Sequence, residues 1–551
     1  MKKERELLKI AINKILPVLL ALIISASCLS ACGKSDYDAE KQALHDELYG
    51  ALDIPTASAA NISLFNTVKA NFSLAYSRTD SLNPYRCTST LNATVASLIF
   101  DKLFILTPEY EVEPIVARSY EMGDSSIKVT VRTGLVFSDG SPLTVDDVEY
   151  SFYAAKRSDT RYTNQLKNIK GLTKSKNTLT FQLGDNDPLA YMLLDFPIIK
   201  KESDVMGQMP IGSGRYVYVT DKDEGMFLEV NEKWYDPEKP SIDRISLNAM
   251  PTIESIVHSI EIGTISYFIT DLRDGYPSRV NSNYATYDIN NLIYLGVNTD
   301  DTRLLNIDIR TAISDAIDRE SVVTKAFGGR GYAATGPLSI SWKTAANAQS
   351  GLTVDDPQNA KFLLNNAGYA STDDSGYRYD GLGNYLSFEI LVSEGNDMHV
   401  AAARAIASQL SEVGISAIVT PVPSDEFKTA IKAGNYQLYL AEYAMTNNMD
   451  FSPLFKSGSG LYTGAEFEEL NAARTAFYGG TGKIDDYLAM TEKYLPFIPV
   501  CHRLGLVCYS RALDAKMDIS ESDPFYGMTE WNVIEVNLDE TLTSSSASSA
   551  Q

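Results

Sequence analysis

Residues 136–152 read VFSDGSPLTVDDVEYSF and place four carboxylates, Asp139, Asp146, Asp147 and Glu149, within a short span. Such a density suits a metal site, an acid/base pair or the punctuation of secondary structure. Upstream, residues 126–133 alternate: Ile127, Val129 and Val131 share one face, and Lys128, Thr130 and Arg132 the other. That is the pattern of a half-buried strand. Gly134 breaks it, and Asp139-Gly140 is a turn dipeptide. Thr144 then opens a helix. Its hydroxyl is placed to accept from the Asp147 amide while the Asp147 carboxylate accepts from the Thr144 amide, a capping box, with Leu143 and Val148 as the hydrophobic staple. Asp146 and Asp147 sit at the positive end of the helix dipole, and Val145, Val148 and Phe152 form its apolar face. Adjacent carboxylates on a helix diverge by about 100°. No histidine lies near, and the spacing fits no calcium loop. The cluster reads as structural rather than catalytic.

The N-terminus follows other rules. Lys2, Lys3, Arg5, Lys9 and Lys14 precede an apolar run at 15–24, and small residues lead to Cys32. This is the order of a secretory signal, and the run is shorter than the ~20 residues of a membrane span. Leu29-Ser30-Ala31-Cys32 resembles a bacterial lipobox. The resemblance implies removal of residues 1–31, lipidation of Cys32 and residence on the extracytoplasmic face of the cell membrane; ordinary secretory cleavage is the alternative. Residues 32–63 read as a polar tether and 541–551 as a disordered Ser/Ala tail.

The chain has 48 Lys+Arg against 71 Asp+Glu, a formal net charge of −23. Loss of the signal removes five basic and two acidic residues, which leaves −26. Such a chain repels nucleic acid and anionic lipid, so neither is expected as a partner. Its length exceeds what one hydrophobic core serves, so several lobes are expected. Cys501 and Cys508 bracket HRLGLV. They could face one another across a hairpin, where an extracellular setting permits a disulfide. Two buried thiols are favoured, because the odd count leaves Cys87 unpaired.

Downstream, Ile309, Ile313, Ala316 and Ile317 mark one face of a helix ending before Gly328-Gly329, and Asp356 caps a helix with Pro357 first and Gly368 beyond its end. From Leu386 a strand (SFEILV), an amphipathic helix (about 397–413), a strand (ISAIVT), a short helix capped by Ser424 and a strand (YQLYLAEY) follow in turn. That β-α-β-α-β order belongs to a largely parallel α/β sheet, which binds ligands at the carboxyl ends of its strands. No nucleophile elbow or zinc-protease motif occurs. GGTGKI at 479–484 fails as a phosphate loop, with Phe477 in place of the first Gly and Ile484 in place of Ser or Thr.

LVFSDGSPLTVDDVEYSF resembles the signature of the bacterial extracellular solute-binding proteins of the oligopeptide, dipeptide and nickel class, family 5. Ser81-Leu-Asn-Pro84, DKLFILTPEYEVEPIVARSYE, PIGSGRYVY, IRTAISDAIDRESVV and DPQNAKFLLNNAGY match further family segments in the family's order, from about residue 64 to 500. The resemblance implies an α/β, bilobed, periplasmic-binding-protein-like type II fold with an extra small α/β domain. Lobe I would comprise 64–104, 209–292 and 497–540, the small domain 105–208 and the distal lobe 293–496. It also implies an ABC-importer receptor: a monomer, not an enzyme, without a cofactor, holding a peptide-like or small-molecule ligand in the interlobe cleft and delivering it to permease subunits. A lipid anchor would be its membrane attachment. Peptide-binding members hold their ligand as an added strand, and an aspartate of the distal lobe pairs with the peptide's ammonium.

Here the chain departs from the pattern. Where the family has Gly, Trp and, three residues on, that Asp, this chain has Glu442, Tyr443 and Thr446. A neutral hydroxyl cannot supply the charge-assisted hydrogen bond. Glu442, Tyr443, Ala444 and Thr446 are the expected ligand-binding residues. In YQLYLAEYA the period of two puts Leu438, Leu440 and Glu442 on one face. Glu442 therefore pairs either with a cationic group of the ligand or with a neighbouring Lys or Arg. A sugar oligomer or other organic solute is the alternative ligand, and a surface-anchored hydrolase or a sensor the alternative role. Nickel fits less well, with His45, His258, His399 and His502 dispersed along the chain.

Overall fold

The computed structural model describes residues 67–537 apart from 70, 158, 273–281, 347 and 349–354. The signal segment, Cys32, the tether and the tail lie outside the described residues. Contacts divide the chain into a large unit, Lys69–Val536, and a second unit of Met1–Val68 with Asn537–Gln551.

An eleven-stranded sheet organises the large unit. Ten strands form one path: β1 (Phe72–Tyr76), β2 (Tyr216–Asp221), β3 (Gly225–Val230), β4 (Arg244–Ala249), β5 (Tyr267–Thr270), β6 (Asn283–Val297), β7 (Ser387–Ser393), β8 (Ser416–Val422), β9 (Leu438–Ala444) and β10 (Phe497–Tyr509). Their order is β8-β7-β9-β6-β10-β5-β1-β4-β3-β2, and Gly331–Ala333 adds to β10. β6 and β10 have 15 and 13 residues. They pair antiparallel from Asn283 opposite Tyr509 to Gly296 opposite Phe497. β9 joins the far half of β6, and β5 joins the near half of β10. The two strands thus run through both halves of the sheet.

Each half packs its own core. On the near half, Phe72 and Leu74 of β1 belong to one apolar cluster with Ile127, Val129, Val148 and Phe152. That cluster joins the segments read as lobe I to the small four-stranded sheet, whose order is Ala117–Met122, Ser126–Val131, Thr178–Leu183, Ile169–Ser175. On the far half, Leu438 and Leu440 face one cluster and Tyr439 another, as the alternation requires. Glycine lets aromatic rings lie flat across the long strands. Gly296 stands opposite Tyr439 and Gly505 opposite Tyr287, and a Cβ at either glycine would enter the tyrosine ring.

The β-α-β-α-β reading is what forms: β7 lies parallel to both β8 and β9, with helices Asp397–Glu412 and Ser424–Ala433 between. Ser424 is not the cap, however. Pro423 takes that position, and the Ser424 hydroxyl bonds that of Ser393 at 2.7 Å. The single helix expected before Gly328 is two, Ile307–Asp315 and Arg319–Phe327, because Asp318 accepts the Ser321 amide and starts a new N-terminus. Two buried guanidiniums bond backbone carbonyls around these helices. Arg310 donates to the carbonyls of Leu304, Leu305, Tyr494 and Leu495, and Arg319 to those of Ser314, Ile317 and Pro499. Burial pulls both down to about 10.

Cys501 and Cys508 lie seven residues apart on one strand, about 23 Å, and pack into different clusters. A disulfide needs Cα atoms within about 7 Å, and both are free buried thiols.

In the stretch 136–152, helix Val145–Ala155 begins with the capping box. The Asp147 carboxylate accepts from the Thr144 amide and hydroxyl, both at 2.9 Å, and from the Lys201 amide at 3.1 Å. Asp139 pairs with Lys200, while Asp146 and Glu149 share Lys174. The four carboxylates do not converge. Thr144→Ala is expected to cost about 1 kcal/mol through the cap. Asp147→Asn, which the sequence alone makes the milder change, is expected to cost at least as much, since a single amide oxygen cannot take three donors. Urea unfolding of both variants checks the order.

Candidate functional site

β9 is apolar as far as Leu440 and then carries Glu442. Its neighbour β6 bears Asp288, Asn290 and Asn291 at the point where pairing with β10 slips between Asp288 and Asn291, a bulge. On β10 the residue opposite Asn291 is Arg503. Three polar groups inside three apolar strands meet here. Arg503 donates to Glu442 Oε1 through Nε at 3.0 Å and Nη2 at 2.6 Å, and through Nη1 to the Asp271 carbonyl. The Asn291 amide donates to the same oxygen, and His399 lies 3.3 Å from Oε2. The Arg503 side chain is 1% exposed and that of Glu442 14%. Burial works against the Glu442 anion, but His399, Arg503 and Asn291 outweigh it and hold the carboxyl at about 2. Of the two pairings open to Glu442 in the sequence, the geometry supplies the protein cation.

The remaining expected ligand residues continue from this point. Tyr443 is half-buried and donates to the Asp450 carbonyl at 3.0 Å; Ala444 is exposed; Thr446 donates to Asn448 Oδ1 at 2.6 Å. The following asparagines cross to the segment before Phe196. Asn448 donates to Asp187 at 2.7 Å and Asn447 to Asp195 at 3.3 Å. Burial raises Asp187 to about 6.

Beside Asn447 opens a small pocket, walled by this residue and by parts of segments 106–110, 288–290 and 520–522. Four regions far apart in sequence meet there. Asp288 on its wall accepts from the hydroxyls of Tyr110 (2.9 Å), Tyr332 (2.8 Å) and Ser339 (2.5 Å) and from the Asn290 amide (2.8 Å). Four donors fill both its oxygens. Among the described residues no three His, Cys, Asp or Glu side chains gather as a metal set, and no helix is long and apolar enough to cross a membrane. The pocket holds about 20 Å³, room for one small polar group rather than a whole solute, and its wall, which includes Glu521, offers that group hydrogen-bonding partners. Asp288, Asn290, Asn291 and Arg503 were not singled out by sequence. Their signal is polarity inside otherwise apolar runs, DINNLIYL and VCHRLGLV.

A mixed sheet whose two halves share two long strands is the periplasmic-binding-protein-like type II fold. The chain belongs to the bacterial extracellular solute-binding proteins, family 5, whose middle region matches residues 111–462. It is 24% identical over 428 residues to the oligopeptide-binding protein AppA of Bacillus subtilis, covering 73% of this chain and 74% of that protein. It is 25% identical over 487 residues to the glutathione-binding protein GsiB of Escherichia coli, covering 82% and 88%. The structure of NikA from Brucella suis in complex with Fe(III)-EDTA superposes with a TM-score of 0.65 at 15% identity, covering 84% of this chain and 99% of that one. The first two relatives are named as binding proteins, for oligopeptides and for glutathione.

Glu442→Gln strands the buried Arg503 and is expected to lower stability by about 3–5 kcal/mol at pH 7. The folded-state value of Glu442 lies below its ordinary 4.5. Its contribution is therefore complete above about pH 4.5 and lost as pH falls toward 2. Denaturant unfolding of both proteins at pH 7 and pH 3 should show the gap narrowing in acid.

Proposed function

We propose that this chain is the extracytoplasmic receptor of an ABC importer, captures a peptide-like solute between its lobes and passes it to permease subunits. The observation that carries this reading is the polar pocket at the bulge of β6, beside Asn447 of the loop that follows β9. The lobe bounds read from the sequence, 64–104 with 209–292 and 497–540 against 293–496, with 105–208 attached to the first, are carried over as part of this proposal. Support comes from the separate cores on the two halves of the sheet. β6 and β10 act as the hinge about which ligand closes the lobes. Tyr443, Ala444 and Thr446 line the cleft; Glu442 shapes it through Arg503 rather than by meeting the ligand's charge. Cys32 carries the lipid that anchors the monomer to the outer face of the membrane.

Peptide-like is favoured over a sugar oligomer because relatives in the family are named for oligopeptides and glutathione. The ammonium partner of the family pattern is nonetheless absent. Thr446 is neutral and bonded to Asn448, and Glu442 is neutralised by Arg503. Recognition then rests on backbone hydrogen bonds, which give affinity irrespective of sequence.

Calorimetry with trialanine and N-acetyl-trialanine tests this. Both should bind, with affinities within about threefold. A loss of tenfold or more on acetylation would return a charged anchor to the site, and binding by chitobiose but neither peptide would replace the ligand class. Cys32→Ser should release the protein into the medium, since one lipid is the anchor proposed. Retention in the membrane fraction would refute the anchor.

A further inference from the structure

Asn290 occupies an unusual position. It lies in the β6 bulge with φ +53°, a conformation that side chains other than glycine rarely adopt and that Asn tolerates best. Tyr110, on the same pocket wall, and Met449, which touches Asn290, share that left-handed backbone, at φ 59° and 56°. Two such residues on the pocket wall and a third touching one of them concentrate backbone strain there, as ligand sites do. The bulge is held from both sides: the Asn290 amide donates to Asp288 at 2.8 Å, and its carbonyl accepts from Met445 at 3.1 Å.

The side chain is buried, 3% exposed, and belongs to the pocket lining. Its NH2 lies 3.3 Å from Met449 Sδ. A thioether sulfur only accepts, which fixes that end as the donor and leaves Oδ1 as the other. Oδ1 has no hydrogen-bond partner among the described residues. A buried carbonyl oxygen without a donor has given up its water and gained nothing in return, and a polar group so placed calls for a partner from the pocket. The neighbouring Asp288 cannot compete for that partner, because its four donors already fill it.

We infer that Asn290 Oδ1 is a ligand-reading acceptor, and that the group it takes is a neutral amide N–H of the solute. The inference rests on the reading of this pocket as the solute site. An amide N–H matches a neutral oxygen without a net charge to bury.

The test uses the full soluble chain, labelled with 15N-asparagine, as wild type, Asn290→Asp and Asn290→Gly. Both substitutions suit the left-handed backbone. The resonance missing in Asn290→Asp assigns the Asn290 side-chain amide. Acetamide, which carries N–H donors, should shift that resonance progressively, and acetone, which carries none, should leave it in place. Trialanine should bind Asn290→Gly at least tenfold more weakly than wild type. An unmoved resonance with acetamide, an equal shift with acetone, or equal trialanine affinity for wild type and Asn290→Gly overturns the assignment. A shift with acetamide alone, joined to no trialanine binding by any of the three proteins, sustains the Asn290 site and removes the peptide-like reading instead.

Discussion

A guanidinium removed from water must find acceptors for its donors where it stands, and Arg503 is buried in the middle of β10. Its partners come from three directions: Glu442 of β9, the Asp271 carbonyl after β5, and through Glu442 the Asn291 amide of β6. The ion pair therefore fixes the place where strands from both halves of the sheet adjoin. Because Glu442 must point at Arg503, the end of β9 has one allowed rotation, and Tyr443 is turned to the other face. Asn291 must reach the same oxygen, which constrains where β6 resumes pairing after its bulge. The pocket wall at 288–290 is a consequence of that constraint rather than an independent feature.

The same physical problem recurs with another solution at Arg310 and Arg319. Among the described residues neither has a carboxylate bonded to it; each donates instead to several backbone carbonyls, most of them at or near helix ends. A planar fork with five donors suits that task. Lysine, a point charge with three, would leave carbonyls unpaired. The far half of the sheet thus uses arginine as a connector of backbone, and the shared strand β10 uses it as a connector of strands.

How much of this was legible depends on the range of the interaction. The alternation of Ile127, Val129 and Val131, the capping box at Thr144 and the helix start at Asp356 are settled within a few residues, and a sequence displays them directly. The opposite faces of Leu440 and Tyr439 follow from the same local period. Asp318 as a second cap between two helices was legible too, but the continuous apolar face of Ile309, Ile313 and Ile317 concealed it. By contrast, the Glu442–Arg503 pair spans 61 residues and the Asn291–Glu442 contact 151. Nothing in the local pattern of either strand says which polar residue meets which. The carboxylate's alternatives could be stated from sequence, but its partner could not. Asn290 was hidden for a different reason: its conformation comes from a bulge, and a bulge is a property of two strands.

The glycine–tyrosine pairs on the long strands bear on how such a protein changes over generations. Gly296 is covered by the Tyr439 ring and Gly505 by that of Tyr287. Neither glycine can acquire even a methyl group while its ring stays in place. Neither ring can leave without uncovering a bare stretch of backbone on a strand that both halves share. Each pair therefore behaves as a single heritable character: across descendants of this chain, glycine and aromatic should be kept together or exchanged together, so that the long strands drift in sequence by coordinated pairs while exposed positions such as Leu382 drift singly.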